Sequence, residues 1–573
     1  MKFLTKPWPK EYDGILYFFQ RLEEMLFHYS EDIVRVPIHN TRTLIKEYLD
    51  SCNGCREGKI KEYQCDKILE ELRHSLKCDK ILRTNFGDTF VQDIERKMSQ
   101  DKIDVVQYLN NKLPQKTYFI WCVEYIKEHA LHETHKDEIE LGLKAWIVEL
   151  ISHGYSPEYI YTYLHSDKMG NNSASPVDVL NGFLGHFTLR KKTFRVYFAF
   201  NPILIEYKNL LEKRLHLDFS DDDFGQDIKK NRNDFVGFLD IEAIDPYLAI
   251  SGAYHKLTVF IRYYQVISNG RRQLVRETGK VVIPDTIDYL YLPVRSTRFH
   301  SIEISSRIDL EEHIDFTIMR CQSKSNPYTQ LNKMVDLHNT AIAQKDLDNG
   351  FLNLWSIMEL FSSDMQNDLT ISKVTSAVIP ILKKDYFQTV LGNIAQDLEE
   401  NLSRKDYTEL IEALGEPEHD ILKIARFVFL PEYEDLRERY FEKLERYPVI
   451  RAKILRLYNI KDTKTEINKM SQKYAQRVEW HLYRLYRTRN AIVHSGNSHS
   501  RIQFLGEHLH IYVDNILNEL LYKLSVEETL KTISDVIVDA KLASEKIFRT
   551  FDGKGAVSAS DLEVLFDDYY YIS

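Results

Sequence analysis

Apolar residues recur at three- and four-residue spacing through the first third of the chain. The segments ILYFFQRLEEMLFHY and CDKILEELRHSLKCDKIL show this spacing within residues 1–105. YFIWCVEYIKEHALHE and EIELGLKAWIVELISHGY show it within residues 106–190. Such a period is typical of amphipathic helices, whose apolar face packs on a core. The sequence therefore predicts a helical N-terminal region over 1–105 and a further helical region over 106–190.

The pattern changes near residue 191. TFRVYFAF, DFVGFLDI, QLVRETGKVVI and TIDYLYLPV are short runs rich in β-branched and aromatic residues, which favour strands. A longer run among them, DPYLAISGAYHKLTVFIRYYQVI, predicts a helix. We therefore predict an α/β domain over 191–322. A linker is predicted at 323–329, where SKSNPYT has the composition of a loop.

Helical spacing returns after residue 330. FLNLWSIMELFSS, SKVTSAVIPILKKDYF, VEWHLYRLYRTRNAIVH and HLHIYVDNILNELLYKL are strongly amphipathic. The predicted fold class is mainly α and multidomain, with a helical N-terminal region, an α/β middle domain and a C-terminal helical bundle over 330–573. The chain holds only 21 glycines and 15 prolines, which agrees with a helix-rich fold.

Composition and charge narrow the classes of function. A hydrophobic content of 43% in 573 residues is enough for several packed cores. The net charge of −10 excludes a bulk basic field, so any RNA must be bound by a local patch. No apolar run approaches the roughly 20 residues of a membrane span, and the N-terminus does not resemble a signal peptide. We therefore predict a cytoplasmic protein that does not associate with a membrane.

A cysteine cluster near the N-terminus suggests a metal site. Cys52 and Cys55 form a Cys-x2-Cys knuckle, and His74 and Cys78 lie one turn apart on a predicted helix. This set matches tetrahedral zinc, with Cys65 as an alternative fourth ligand. A site closed by four side chains would be structural. The other interpretation is that Cys65 and Cys78 are small core residues and that the knuckle is a surface loop.

The segment RTRNAIVHSGN, at the end of a predicted helix, carries the main candidate chemistry. It contains Arg489, Asn490 and His494. A histidine can transfer protons near neutral pH, and an arginine can bind a phosphate through two donors. Arg484 and Arg487 lie about one turn earlier, and we predict that they extend a positive patch that binds RNA.

Two features of this segment leave its role open. Five residues separate Arg489 from His494, so on an ideal helix they lie roughly 140° apart rather than on one face. A purely structural interpretation is also available: Arg489 pairs with carboxylates, and His494 is a helix-end histidine favoured by the helix dipole.

The motif of Arg489, Asn490 and His494 resembles the signature of the HEPN superfamily of ribonucleases and nucleotide-binding domains. In that signature an arginine, often followed by asparagine, precedes a histidine at this spacing near a helix end. FLNLWSIMELF resembles the earlier helix of the ApeA-like branch, which carries a tryptophan and a glutamate, here Trp355 and Glu359.

This resemblance covers about residues 330–530 and implies a HEPN-like bundle that cleaves RNA without a metal. ApeA-like HEPN proteins are bacterial abortive-infection proteins that cut RNA when phage infect. The expected products carry 2′,3′-cyclic phosphates, and tRNA is one candidate substrate. Two copies of the motif usually meet across a dimer interface, so a homodimer through the HEPN-like domain is implied. Zinc, if bound, would be structural, and the phage trigger is unknown.

The resemblance also implies a role for each motif residue. His494 would act as general base or acid. Arg489 would stabilise charge on the phosphoryl oxygens. Asn490 would orient His494 or bind a phosphate oxygen, and Glu359 would hold Arg489 or tune His494.

The sequence also leads to a prediction for residues 1–320 and leaves two other functions open. Residues 1–320 have no catalytic signature, and we predict that they sense a trigger or restrain the nuclease. One alternative is a HEPN-like scaffold that binds RNA or nucleotide without cleaving it. The other is a ligand-sensing α/β protein that its helical domain dimerises.

Overall fold

The computed structural model of the protein describes all residues except 1–2, 7, 27–38, 59, 100, 167–173, 220–226, 230, 232, 268–273, 285–287, 295–325, 345, 368, 416–418, 461–463, 497–500, 527–529, 531 and 567–573. The described chain is mainly helical and contains one four-stranded sheet, so the predicted mainly α class is confirmed.

The chain divides into two compact units. The large unit comprises residues 1–113, 128–143 and 297–573, and the small unit comprises residues 114–127 and 144–296. The predicted N-terminal and C-terminal helical regions therefore belong to the same unit.

The helices that precede the sheet are short to medium in length. They are α1 (Asp13–Leu26), α2 (Thr41–Arg56), α3 (Glu62–Cys78), α4 (Lys80–Phe86), α5 (Asp88–Lys97), α6 (Lys102–Lys112), α7 (Gln115–His129), α8 (Lys136–His153), α9 (Pro157–Leu164) and α10 (Pro176–His186). The boundaries follow local sequence signals. The Asn40 side chain accepts from the Thr43 N–H and starts α2, and Gly154, with φ of +106°, follows the last residue of α8.

The sheet and two helices form the core of the small unit. The elements are β1 (Lys192–Phe200), α11 (Lys208–Leu215), β2 (Phe235–Ala243), α12 (Pro246–Ile267), β3 (Val275–Val282) and β4 (Tyr289–Pro293). The four predicted strands and the predicted long helix are confirmed. The strand order is β2-β1-β3-β4 and every pairing is antiparallel, so this is an α+β arrangement and not alternating α/β. Gly279 lets α12 pack closely, because a Cβ there would lie 2.7 Å from Ile250 Cδ1.

The chain after the sheet is helical again. The helices are α13 (Asn326–Ala343), α14 (Leu347–Phe361), α15 (Thr370–Lys384), α16 (Tyr386–Asn401), α17 (Arg404–Leu414), α18 (Asp420–Phe429), α19 (Glu434–Lys443), α20 (Pro448–Tyr458), α21 (Lys464–Ser495), α22 (Ile502–Val526), α23 (Ile533–Thr550) and α24 (Ala559–Val564). The linker predicted at 323–329 is wrong for residues 326–329, which begin α13, while residues 323–325 lie outside the described residues.

One apolar core joins α13, α14, α15, α21, α22 and α23. Its largest members include Trp355 and Phe351 of α14, both almost completely buried. The core fixes α21, the helix that carries the arginine–histidine motif, against α14, the helix that carries Trp355 and Glu359.

Buried ion pairs hold α1 in the same unit. Arg21 donates to the Glu140 carboxylate from Nε at 2.8 Å and from Nη2 at 2.9 Å. Arg451 donates to Asp13 at 2.8 Å. Removing one partner of such a buried pair costs about 3–5 kcal/mol, since the other charge is left uncompensated. The N-terminal helices are therefore an integral part of the large unit.

Candidate functional site

Helix α21 carries the motif to its last turn without distortion. It is continuous over 32 residues and ends where Gly496 adopts φ of +60° and donates its N–H to the Ile492 carbonyl at 3.1 Å. Ile492 packs against the core, whereas Val493 and His494 face solvent. The exposed end of a regular helix therefore presents the imidazole.

The structure brings Glu359 and Arg489 together. The Nη2 atom of Arg489 lies 3.5 Å from Oε1 of Glu359. The same oxygen accepts a hydrogen bond from Trp355 Nε1 at 2.8 Å, and the Trp355 ring packs on the Tyr486 ring. The buried indole therefore fixes the carboxylate, and the carboxylate orients the guanidinium. The side chain of Arg489 remains 27% exposed, which leaves it accessible to a solvent-borne anion.

Asn490 and His494 occupy different positions relative to Arg489. Asn490 Oδ1 accepts from Arg489 Nη1 at 3.2 Å, and the residue is half-buried. Within the described part of the chain, no hydrogen bond joins Arg489 to His494. The regular helix keeps the angular separation of these two residues, so one copy of the motif does not form a closed pair.

Arg484 and Arg487 are buried by two glutamates from the N-terminal helices. Arg484 donates from Nε and Nη2 to the Glu47 carboxylate at 3.0 and 2.9 Å, and from Nη2 to Glu71 at 2.6 Å. Arg487 Nη2 donates to Glu47 at 2.7 Å. Glu47 lies on α2 and Glu71 on α3. The two arginines predicted to form an exposed RNA-binding patch therefore contact protein carboxylates and not solvent. We call these four side chains the arginine–glutamate cluster.

The two carboxylates of the cluster differ in their electrostatics. Burial alone would raise the pKa of Glu47, but the charges of Arg484, His39 and Arg487 hold that pKa well below its usual range. Burial raises the pKa of Glu71 despite its contact with Arg484. Glu47 is thus the firmly ionised partner. Sequence reasoning missed both glutamates because they precede the motif by more than 400 residues.

The predicted zinc ligands separate into two groups. Cys52 and Cys55 are part of helix α2, so the prediction of a knuckle at this position is wrong: the helix that Asn40 starts continues to Arg56. Cys55 Sγ lies 2.8 Å from Cys65 Sγ at the start of α3. His74 and Cys78 contact each other at 3.8 Å near the other end of α3.

Helix geometry prevents these two groups from sharing an ion. Nine residues separate Cys65 from His74 on α3, which corresponds to about 13 Å along the axis. A tetrahedral zinc needs all four ligand atoms within about 2.3 Å of the ion. The structure therefore does not bring Cys52, Cys55, His74 and Cys78 together. The alternative ligand Cys65 is the one that lies beside the Cys-x2-Cys pair.

Two buried histidines lie between α21 and α22. The Nδ1 atom of His481 is 3.0 Å from the hydroxyl oxygen of Tyr512, and the His481 ring meets the His508 ring edge to face. Burial holds the pKa of His481 well below its usual value, and the neighbouring His508 and Arg484 act in the same direction. His481 is therefore neutral at physiological pH and packs as a polar core residue.

Comparisons of the chain with protein families, with curated proteins and with solved structures give no significant match. Among the described helices, none is both long enough and apolar enough to cross a membrane.

Proposed function

We propose that this protein is a metal-independent endoribonuclease of the HEPN type that acts in abortive infection against phage. One observation carries the proposal: Trp355, Glu359 and Arg489 form a connected series that ends beside Asn490, on the helix that exposes His494. Such a series resembles an anion-binding arginine held in place by a second layer of contacts.

Each side chain has a defined part in the reaction. The RNA 2′-hydroxyl attacks the adjacent phosphorus, the bond to the 5′-oxygen breaks, and a 2′,3′-cyclic phosphate remains. His494 removes the hydroxyl proton or protonates the leaving oxygen, which contributes about 10²–10⁴-fold. Arg489 donates to the phosphoryl oxygens, where negative charge increases in the transition state. Asn490 accepts from Arg489 and keeps its amide N–H₂ available for a phosphate oxygen.

A homodimer would supply the second proton-transfer group. The reaction removes a proton from the 2′-hydroxyl and delivers a proton to the leaving 5′-oxygen, and one copy of the motif offers one histidine for these two roles. Arg489 and His494 also point in different directions on α21. A second copy of the chain would supply the second histidine and would close the site from the other side. Gel filtration with light scattering of the full chain tests this point.

We also propose that the N-terminal helices restrain the nuclease. The observation that supports this is the arginine–glutamate cluster, in which Glu47 and Glu71 occupy the donors of Arg484 and Arg487 that RNA would otherwise use. Release of α2 and α3 would free positive charge one turn before the motif. Because α1–α3 share a unit with α21, a cut near residue 325 would expose the core, so the restraint must be tested in the full chain.

The primary experiment compares the wild-type protein with His494→Ala on total RNA and on tRNA in the presence of EDTA. His255→Ala, an exposed histidine on α12, is the matched control, and circular dichroism verifies that all three proteins are folded. We expect cyclic-phosphate products from the wild type and the control only. Equal cleavage by His494→Ala would remove this histidine from the mechanism.

A non-catalytic scaffold is the second candidate function. It is favoured by the separation of Arg489 and His494 on a regular helix, because binding does not require both side chains to reach the same phosphate. Two results together would support the scaffold over the nuclease. RNA would bind with micromolar affinity to the wild type but not to Arg489→Ala, and phage-infected cells would contain no cleavage product.

A further inference from the structure

Three ligand atoms converge between α13 and α22 in the large unit. His338 lies on α13, and His510 and Asp514 lie one turn apart on α22. The Nε2 atom of His338 is 2.9 Å from Nε2 of His510 and 2.7 Å from Oδ1 of Asp514. Nε2 of His510 is 3.4 Å from the same oxygen. We infer that His338, His510 and Asp514 bind one divalent transition-metal ion that connects α13 to α22.

When Asp514 is ionised, no placement of protons makes all three contacts favourable. If both imidazoles donate Nε2–H to Asp514, two N–H groups face each other across 2.9 Å. If only His338 carries the proton, the lone pair of His510 faces the carboxylate oxygen at 3.4 Å. Each scheme therefore leaves one unfavourable contact, either two N–H groups at 2.9 Å or a lone pair and a carboxylate oxygen at 3.4 Å. A cation at the centre removes it, because all three lone pairs then point at positive charge.

The distances fit a metal and its preferred ligands. Metal–nitrogen and metal–oxygen bonds of about 2.1 Å place two ligand atoms about 3.0 Å apart at a right angle, and about 3.4 Å apart at a tetrahedral angle. The three observed separations, 2.7, 2.9 and 3.4 Å, lie close to these values. Two imidazoles with one carboxylate select zinc, iron, cobalt or nickel over magnesium or calcium, which prefer oxygen ligands.

Burial indicates how the ion would enter and what it would do. The side chain of His510 is 1% exposed, whereas those of His338 and Asp514 are 18% and 13% exposed. One side of the site therefore opens to solvent, and at least one coordination position remains for water. The ion would fasten α13, the first helix after residue 325, to the core helix α22. This inference does not depend on the proposed nuclease, whose reaction needs no metal.

The sequence carries only a partial signal for this site. His510 and Asp514 stand at positions i and i+4 of a helix, which places them on one face. His338 precedes His510 by 172 residues, so periodicity does not connect the two. The sequence instead predicted a zinc site at the cysteines near the N-terminus.

Cobalt titration of the full chain tests the inference. The protein is stripped with a chelator, dialysed and titrated with Co²⁺, followed by visible absorption and calorimetry, and Zn²⁺ is then added to displace the Co²⁺. The variants are His338→Ala and Asp514→Asn, with His255→Ala as the control. His510 is left intact because its complete burial makes its loss a threat to folding.

We expect one Co²⁺ per chain in the wild type and the control, without a thiolate charge-transfer band, and displacement by Zn²⁺. Either variant should weaken binding by at least about a hundredfold, the upper end of what loss of an outer-shell partner causes. Binding that is unchanged in both variants overturns the inference. So does Co²⁺ that binds only with a thiolate band, which would assign the ion to cysteines, or no binding at micromolar metal.

Discussion

Glu47 and Glu71 contact the same arginine but should contribute very differently to stability. Glu47 is ionised and serves both Arg484 and Arg487, so Glu47→Gln leaves two buried guanidinium groups short of negative charge. Loss of one partner in a buried ion pair costs about 3–5 kcal/mol. Glu71 has a raised pKa and forms one hydrogen bond, which the amide oxygen of glutamine can still accept. Glu71→Gln should therefore cost only about 1–1.5 kcal/mol.

Hydrogen exchange of α21 measures this difference locally. The full chain has two units, so a single unfolding midpoint would mix them, whereas exchange of peptides over 478–489 reports the opening of this helix. A cost of about 3 kcal/mol speeds exchange through opening by about a hundredfold, and a cost of about 1 kcal/mol by about fivefold. Glu479→Gln is the matched control, since Glu479 of the same helix forms a partly exposed pair with Lys67 of α3 at 3.0 Å.

The ordering of the three variants decides the reasoning. We expect Glu47→Gln to accelerate exchange most, Glu71→Gln clearly less, and Glu479→Gln least, because a partly exposed pair contributes below about 1 kcal/mol. Equal acceleration by the first two variants would refute the assignment of Glu47 as the charged anchor. A Glu47→Gln protein that matches Glu479→Gln would refute the cluster as a stabilising contact altogether.

Three further predictions concern catalysis and pH. Glu359→Gln should lower RNA cleavage about tenfold because Arg489 is then misplaced. It should cost less than about 1 kcal/mol of stability, because the pair is partly exposed. A loss of activity that is fully explained by a larger unfolded fraction in a parallel stability assay would contradict this prediction. Buried His481 stays neutral while the unfolded chain takes up a proton, so the large unit should lose about 1.4 kcal/mol of stability per pH unit below about pH 6.5. His481→Gln should flatten this slope in hydrogen exchange of α21, corrected for the intrinsic exchange rate at each pH. Burial raises the pKa of Asp245 to about 6, so the folded small unit retains a proton that the unfolded chain releases near pH 4. The stability of the small unit should therefore fall by about 3 kcal/mol between pH 4 and 6. Asp245→Asn should abolish that fall.

The sequence predicts the elements whose signal is local. Strands β1–β4 and helix α12 follow from runs of β-branched residues and from apolar spacing. The contact of Glu359 with Arg489 is one of the two roles that the resemblance to the HEPN superfamily implied for Glu359. The Cys-x2-Cys segment misled the interpretation, because a glycine between two cysteines suggests a turn. Gly54 instead allows a close approach inside a helix, where a Cβ would lie 2.8 Å from Ile60 Cδ1.

Features that depend on distant partners were not predictable. The burial of Arg484 is decided by Glu47 and Glu71, and no spacing rule connects positions so far apart in the chain. The same holds for His338 beside His510. An exposed arginine patch and a buried ion-pair cluster have identical local sequences, and only tertiary contacts distinguish them.

The start of α21 has a consequence for how the protein is made. Lys464 N–H donates to the Gly555 carbonyl at 3.0 Å, Thr465 Oγ1 to the Gly553 carbonyl at 2.8 Å, and Asn468 Nδ2 to the Phe548 carbonyl at 2.9 Å. The helix is about 48 Å long, and its opposite end carries His494. The residues that fasten it leave the ribosome after the motif itself. A nascent chain therefore carries the complete motif before it carries the contacts that hold the other end of the helix.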